Sequence, residues 1–302
     1  MCTPAPSPPE VATLCALIDH YRQARAAPGD RLVVAFYGGA PPPLSLVDAL
    51  GGLSFRIRVR PDLLSRRAAE VYIERGAEEF ELDVLSFDDA LVRRSGRAHR
   101  RGLIRLMAEG FARVGVRCSM VLTPGLPGWS FDQCVEDAAE AAEWADAVRL
   151  LPVLVLRHSR LAESWRGGFY EPLSVPAAVE ICSSMMDILE SRGVEVRRVG
   201  LQPGPDEAGR AIAGPVHSSL RELVEAKRML DRLRGICVEL PRGAVAEIRC
   251  HPADETRVRG ALNQNIRTLR AEFSLAEVLV SADPEVDRGI VEVASRHHGV
   301  HR

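Results

Sequence analysis

Between residues 32 and 155 a short apolar run is followed by an amphipathic one five times over. Strands are expected at Leu32–Ala35, Ser54–Arg60, Glu78–Leu85, Val116–Leu122 and Ala147–Val155. Helices are expected between them at Leu44–Leu50, Pro61–Arg75, Asp88–Arg94, His99–Val114 and Phe131–Ala145. Strands that alternate with helices pair in parallel, because each helix must cross back over the sheet in a right-handed sense. The fold class is therefore α/β, with the sheet open or curled into a barrel, and a barrel gathers the strand-end loops on one rim.

Those loops carry the informative residues. A turn, Phe36-Tyr37-Gly38-Gly39, is expected after the first run, itself apolar enough for a buried strand, and Ala40-Pro41-Pro42-Pro43 stiffens the exit. Glycine permits a positive φ there and leaves room for a ligand to approach the backbone. The second strand alternates Phe55, Ile57 and Val59 with Arg56, Arg58 and Arg60, so one face is apolar and the other basic. The third carries Glu81 and Asp83 near its end. Such paired acceptor oxygens can take ribose hydroxyls or an ammonium group. They can equally take Arg56 or Arg58 from the neighbouring strand, the reading favoured for Asp83. Arg60 reads as a charge on the rim.

The rest of the chain continues with helices at Val175–Arg192 and Ser219–Leu233, around a strand at Val194–Val199. Beyond it, strands at Gly235–Leu240, Ala244–His251, Ala276–Val280 and Gly289–Val293 and a helix at Glu255–Ala271 suggest a small α+β appendage. The expected organisation is a tail over 1–9, a barrel with its extension over 10–233, a subdomain over 234–293 and a tail over 294–302. A first helix is expected from Pro8 to Ala26.

Composition removes several function classes. With a net charge of −2, no bulk basic field exists to hold nucleic acid, so RNA contact needs a local patch. No apolar run reaches the roughly 18 residues of a spanning helix, so no membrane partner is expected and the location reads as cytoplasmic. The 7 cysteines form no CxxC or CxxxC, and most sit in apolar runs as core residues. His297, His298 and His301 lie in the tail and are read as frayed, not as metal ligands. No metal site is assigned.

Several motifs lie in a telling order. Ala35-Phe36-Tyr37-Gly38-Gly39, Arg60-Pro61-Asp62, Glu81-Leu82-Asp83-Val84-Leu85-Ser86 and Ser95-Gly96-Arg97-Ala98-His99 come first. Thr123-Pro124-Gly125-Leu126-Pro127-Gly128 follows, then Val148–Arg157 with Tyr170-Glu171-Pro172-Leu173-Ser174, then Gly200-Leu201-Gln202-Pro203. Together they resemble the radical S-adenosylmethionine (radical SAM) superfamily, in the group related to the catalytic subunit of elongator, which modifies the tRNA wobble uridine. The resemblance implies a partial parallel (β/α) barrel, here without its first strand. It implies SAM contacts at Gly38, Gly39, Arg60, Glu81 and Ser86. It also implies substrate-side roles for Arg97, His99, Arg157, Gln202 and His217. Arg97, His99 and Arg100 could form a small basic patch or simply a solvated helix start, and His217 a site residue or a capping one.

The family's reaction needs a [4Fe–4S] cluster on a CxxxCxxC triplet, because soft thiolates are the ligands such clusters accept. Only Cys2 and Cys15 precede Gly38. Asp83 stands where the family has Gly, and Leu85 where it has Gln. Two readings stay open: a degenerate member that binds SAM or partners RNA or a cluster-bearing protein, and an active enzyme whose cluster segment lies outside the written sequence. A third, a metal-independent barrel enzyme using rim carboxylates and histidines, finds no nucleophile–base spacing to support it. The substrate and the oligomeric state are not written in the sequence.

Overall fold

In a computed structural model, described for residues 11–24, 31–201 and 210–296, the chain divides into two compact units, Met1–Val216 and His217–Arg302. The first opens with helix α1 (Val11–Gln23). Six parallel strands follow: β1 (Val34–Tyr37), β2 (Phe55–Val59), β3 (Ala77–Leu85), β4 (Arg117–Leu122), β5 (Ala147–Leu150) and, after one short strand, β7 (Glu195–Val199). They lie side by side in the order β1-β2-β3-β4-β5-β7 and curl into a half-barrel. The crossovers are α2 (Leu44–Asp48), α3 (Arg66–Glu74), α4 (Asp89–Arg94) with α5 (Arg101–Arg113), α6 (Phe131–Trp144) and, between β5 and β7, α7 (Arg160–Arg166) with α8 (Val175–Ser191).

Local chemistry starts these helices. Ser65, Asp88, Ser130 and Ser174 each accept a hydrogen bond from a first-turn amide of α3, α4, α6 and α8. Pairing on the sheet then decides which face is which. The apolar residues of β2, Phe55, Ile57 and Val59, are fully buried, and Phe80 of β3 stacks on Phe111 of α5 at 4.6 Å. Alternation therefore turns the other residues of β2 and β3 to the concave side.

Several boundaries differ from expectation. Phe36 and Tyr37 are strand residues rather than turn residues. β1 is an edge strand with Ala35 and Tyr37 exposed, not a buried one, because among the described residues it pairs with β2 alone. The expected strand at Ala147–Val155 is broken after Leu150 by Leu151-Pro152, and β6 (Val155–Leu156) pairs instead with β8 (Ala211–Ala213).

The second unit has its own core. β9 (Val245–Cys250) lies between parallel β10 (Glu277–Ala282) and antiparallel β11 (Val291–Arg296). Helix α9 (Leu220–Cys237) puts Met229, Leu230, Leu233 and Cys237 against Ala246, Ile248 and Cys250. The segment expected as a strand at Gly235–Leu240 is instead the end of α9 and the turn after it, and the unit boundary falls at Val216 rather than after Leu233. The single helix expected over Glu255–Ala271 is two, α10 (Glu255–Arg259) and α11 (Gln264–Glu272). Gly260, Leu262 and Asn263 all take positive φ between them. Asn265 holds that break, donating to the carbonyls of Ala226 and Arg257 at 2.9 and 3.0 Å.

Candidate functional site

The concave face of the half-barrel is ionic. Parallel register sets Arg56 and Arg58 of β2 opposite Glu79 and Glu81 of β3. The arginine column faces an acidic column, with Arg149 of β5 and Arg197 of β7 reaching in from the far side. Arg58 lies 3.5 Å from Glu81 and 2.8 Å from Asp83, and Asp83 also takes Arg97 at 3.1 Å. Arg149 bridges two strands: its Nη2 donates to the Tyr37 hydroxyl at 2.7 Å, and its Nε lies 2.7 Å from Glu81. The guanidinium also covers the Tyr37 ring at 5.2 Å.

Two neighbouring glutamates titrate in opposite directions. Burial works to raise the carboxyl of Glu79, but hydrogen bonds from Arg197 and Ser119 outweigh it and hold the group below its ordinary value. Burial of Glu81 wins over the charges of Arg149 and Arg58, and its carboxyl is raised. The difference is alignment. The Arg149 Nε–H is close to Glu81 but is not aimed at it, and Glu81 Oε1, in a residue 5 % exposed, has no hydrogen-bond partner.

At the rim, Gly38 and Gly39 end β1, and the Gly39 carbonyl accepts from Arg60 N at 3.0 Å. Neither glycine has a positive φ, which corrects the conformational half of the expectation. A Cβ on Gly38 would come no closer than 3.5 Å to any atom, and one on Gly39 would meet Arg60 Cδ at 3.4 Å, ordinary contact. Among the described residues, neither backbone conformation nor packing requires glycine at either place. Arg60 is tied to Asp62 at 2.5 Å. Burial works to raise the Asp62 carboxyl, but hydrogen bonds from Arg60 and from the Ala98 amide hold it low.

The other expected site residues are scattered. Ser86 is buried and accepts from Asp88 N at 3.0 Å, and its hydroxyl also serves Asp137 on α6. Its hydroxyl is thus engaged with the loop after β3 and with α6. His99 cannot join a surface patch with Arg97 and Arg100: its ring is wholly buried, with Nε2 3.0 Å from the Val84 carbonyl. Burial lowers its pKa, so the neutral ring donates from Nε2 and leaves Nδ1 unpaired, 3.8 Å from Asp62. Arg157 is exposed beside the β6–β8 pair, its amide bonded to the Arg210 carbonyl. His217 belongs to the second unit, where Nδ1 accepts from Ser219 N at 3.1 Å just before α9. Gln202 lies outside the described residues, as do His297, His298 and His301.

Sequence reasoning passed over Tyr37, Glu79, Arg149 and Arg197 as site residues. The signal that could have found the last two is the same two-residue alternation that exposed the basic face of β2.

The described cysteines do not fit a cluster. Cys134 on α6 and Cys182 on α8 are buried, and desolvation pushes both thiols up to about 12, the reverse of what a thiolate ligand needs. Cys118, Cys237 and Cys250 are buried as well, and no three metal-binding side chains converge among the described residues.

Residues 145–232 match the Radical_SAM C-terminal domain. Elongator complex protein 3 of Danio rerio is 28% identical over 184 residues, 58% of this chain and 32% of its own length. The tRNA uridine(34) acetyltransferase of Methanocaldococcus infernus is 26% identical over 137 residues, 44% of this chain and 26% of its own. The chain is similar to radical SAM proteins of the elongator group. This radical SAM relative spans about a third of the length of the curated relatives it matches. Its fold is that of the archaeal Methanocaldococcus infernus Elp3 with an N-terminal deletion, at TM-score 0.63 and 21% identity, over 74% of this chain and 59% of that one.

Proposed function

We propose that the barrel unit of this radical SAM relative binds SAM at its rim and works as a binding or partner protein, with no thiolate cage of its own among the described residues. The observation that carries the reading is the pair Gly38-Gly39. It ends an edge strand, and neither backbone conformation nor packing demands glycine there. What remains is close approach by something outside the chain. The family resemblance supplies its identity, the amino group of SAM.

Glu81 fits the same ligand. Its Oε1, which accepts no hydrogen bond within the described residues, would accept a ribose hydroxyl, and Arg149 links Glu81 to Tyr37, the residue before Gly38. Arg60 and Asp83 enter through the frame they hold, because both are already spent on internal ion pairs. RNA or a cluster-bearing protein is the proposed partner, on the strength of relatives named for elongator and for tRNA uridine.

The second reading is an active enzyme that cleaves SAM reductively to a 5′-deoxyadenosyl radical and modifies RNA. Kinship with a protein named as a tRNA-modifying enzyme favours it. Anaerobic iron–sulfur reconstitution separates the two. The proposed reading expects no visible absorbance of a [4Fe–4S] cluster and SAM binding that does not depend on iron. A clean cluster spectrum together with 5′-deoxyadenosine release would establish the second reading instead.

A further inference from the structure

Below the rim, the concave face holds a cleft of about 410 Å³. Arg31, Arg56, Arg58, Arg149 and Arg197 line it, against Glu79 and Glu81. Glu78 adds a third carboxylate, 2.7 Å from Arg31 and 3.0 Å from Arg56. Five arginines less three glutamates leave two positive charges in excess. Asp83 does not cancel them, since it brings Arg97 with it. The chain as a whole carries −2, so the positive field is local to this face.

Three observations bear on what the cleft accepts. Like charges gathered in a half-buried site repel more strongly than in water, and an anion relieves them. The Tyr37 hydroxyl is already the acceptor for Arg149, so its own proton is available to donate, and the residue is 56% exposed. Glu81 lines the cleft, and its buried Oε1 accepts no hydrogen bond, with Arg58 Nε 3.5 Å away.

We propose that this cleft binds a small oxyanion, a carboxylate or a phosphate, that also carries a hydrogen-bond donor. The oxyanion sits among Arg31, Arg56 and Arg149 and takes the Tyr37 hydroxyl proton, and the donor meets Glu81 Oε1. The site goes beyond the SAM reading, which it meets at Glu81, Tyr37 and Arg149, and it needs no SAM to fill.

The test is thermal stabilisation and calorimetry of the full chain, without SAM and at constant ionic strength. The probes are inorganic phosphate, malonate and phosphoethanolamine. A saturable rise in Tm with phosphate or malonate is expected, and the stronger of the two identifies the oxyanion. Phosphoethanolamine should bind more tightly than phosphate, because its ammonium group reaches Glu81.

Arg31→Gln, at an exposed position that the fold does not need, should weaken phosphate binding by roughly tenfold. Glu81→Gln should tighten phosphate and abolish the advantage of phosphoethanolamine, a pair of opposite changes that a purely structural role for Glu81 would not produce. The proposal is overturned if neither anion gives a saturable shift, or if Arg31→Gln leaves the affinities unchanged. Because SAM is absent throughout, failure of the rim reading leaves this result standing, and the converse holds too.

Discussion

Asp137 shows at the level of one side chain how much the fold spends on its loops. It is buried on α6, accepts from Phe87 N at 2.8 Å, and so pins the turn that follows β3. Burial pushes its carboxyl from 3.8 up to about 6, against the hydrogen bonds of Phe87, Ser86 and Gln133. The folded state then holds a proton that the unfolded chain has already lost, so stability falls as pH rises from about 4 to about 6. The penalty at neutral pH is on the order of 2–3 kcal/mol. Asp137→Asn keeps an acceptor for Phe87 and should flatten this pH dependence, as urea denaturation at pH 4 and pH 7 would show. Glu79 works with the opposite sign. Its lowered value means that its contribution is present at neutral pH and is lost as pH falls below about 4.5. Glu79→Gln should therefore destabilise at pH 7, and the difference from wild type should shrink as pH falls below about 4.5, measured in the same way.

At the scale of elements, the loops after the strands depend on a few backbone positions. Gly125, at φ +90°, is one of them: a Cβ there would lie 2.8 Å from Leu173 Cδ1, and its carbonyl accepts from the Tyr170 hydroxyl at 2.6 Å. Gly125→Ala should cost roughly 2–4 kcal/mol of barrel stability, readable as a lowered denaturation midpoint, because left-handed strain and overpacking add. Much of this level was legible in the sequence. Strand–helix alternation located the parallel strands, since period-two and period-3.6 burial patterns are local properties. The basic face of β2 was visible for the same reason. What was not legible depends on contacts distant in sequence. Whether Ala147–Val155 stays one strand is decided by where β8 offers a partner, and whether Gly235 lies in a strand or a helix by the core that α9 joins. His99 looked like a surface residue beside arginines, and only the packed fold shows its ring under Val84 and Asp62.

At the scale of the whole molecule, two separate cores imply two separable transitions. Ile248 is fully buried in the second unit, and Met120 is fully buried in β4 of the first. Ile248→Ala should shift one calorimetric transition by the equivalent of about 2–5 kcal/mol and leave the other in place, and Met120→Ala should do the reverse. A single transition moved equally by both variants would mean that the units unfold together. For the first unit, the account rests on the amino group of SAM brought against the Gly38-Gly39 edge. Calorimetric titration of SAM into iron-free protein, beside the Gly39→Val variant, tests it most directly. The first atom of the added side chain would meet Arg60 Cδ at 3.4 Å, an ordinary contact with a flexible side chain, and Gly39 does not hold a positive φ, so the backbone is not strained. The account predicts saturable binding by the wild type and its loss in Gly39→Val at unchanged Tm. No heat of binding in the wild type, or equal affinity in the variant, would contradict it.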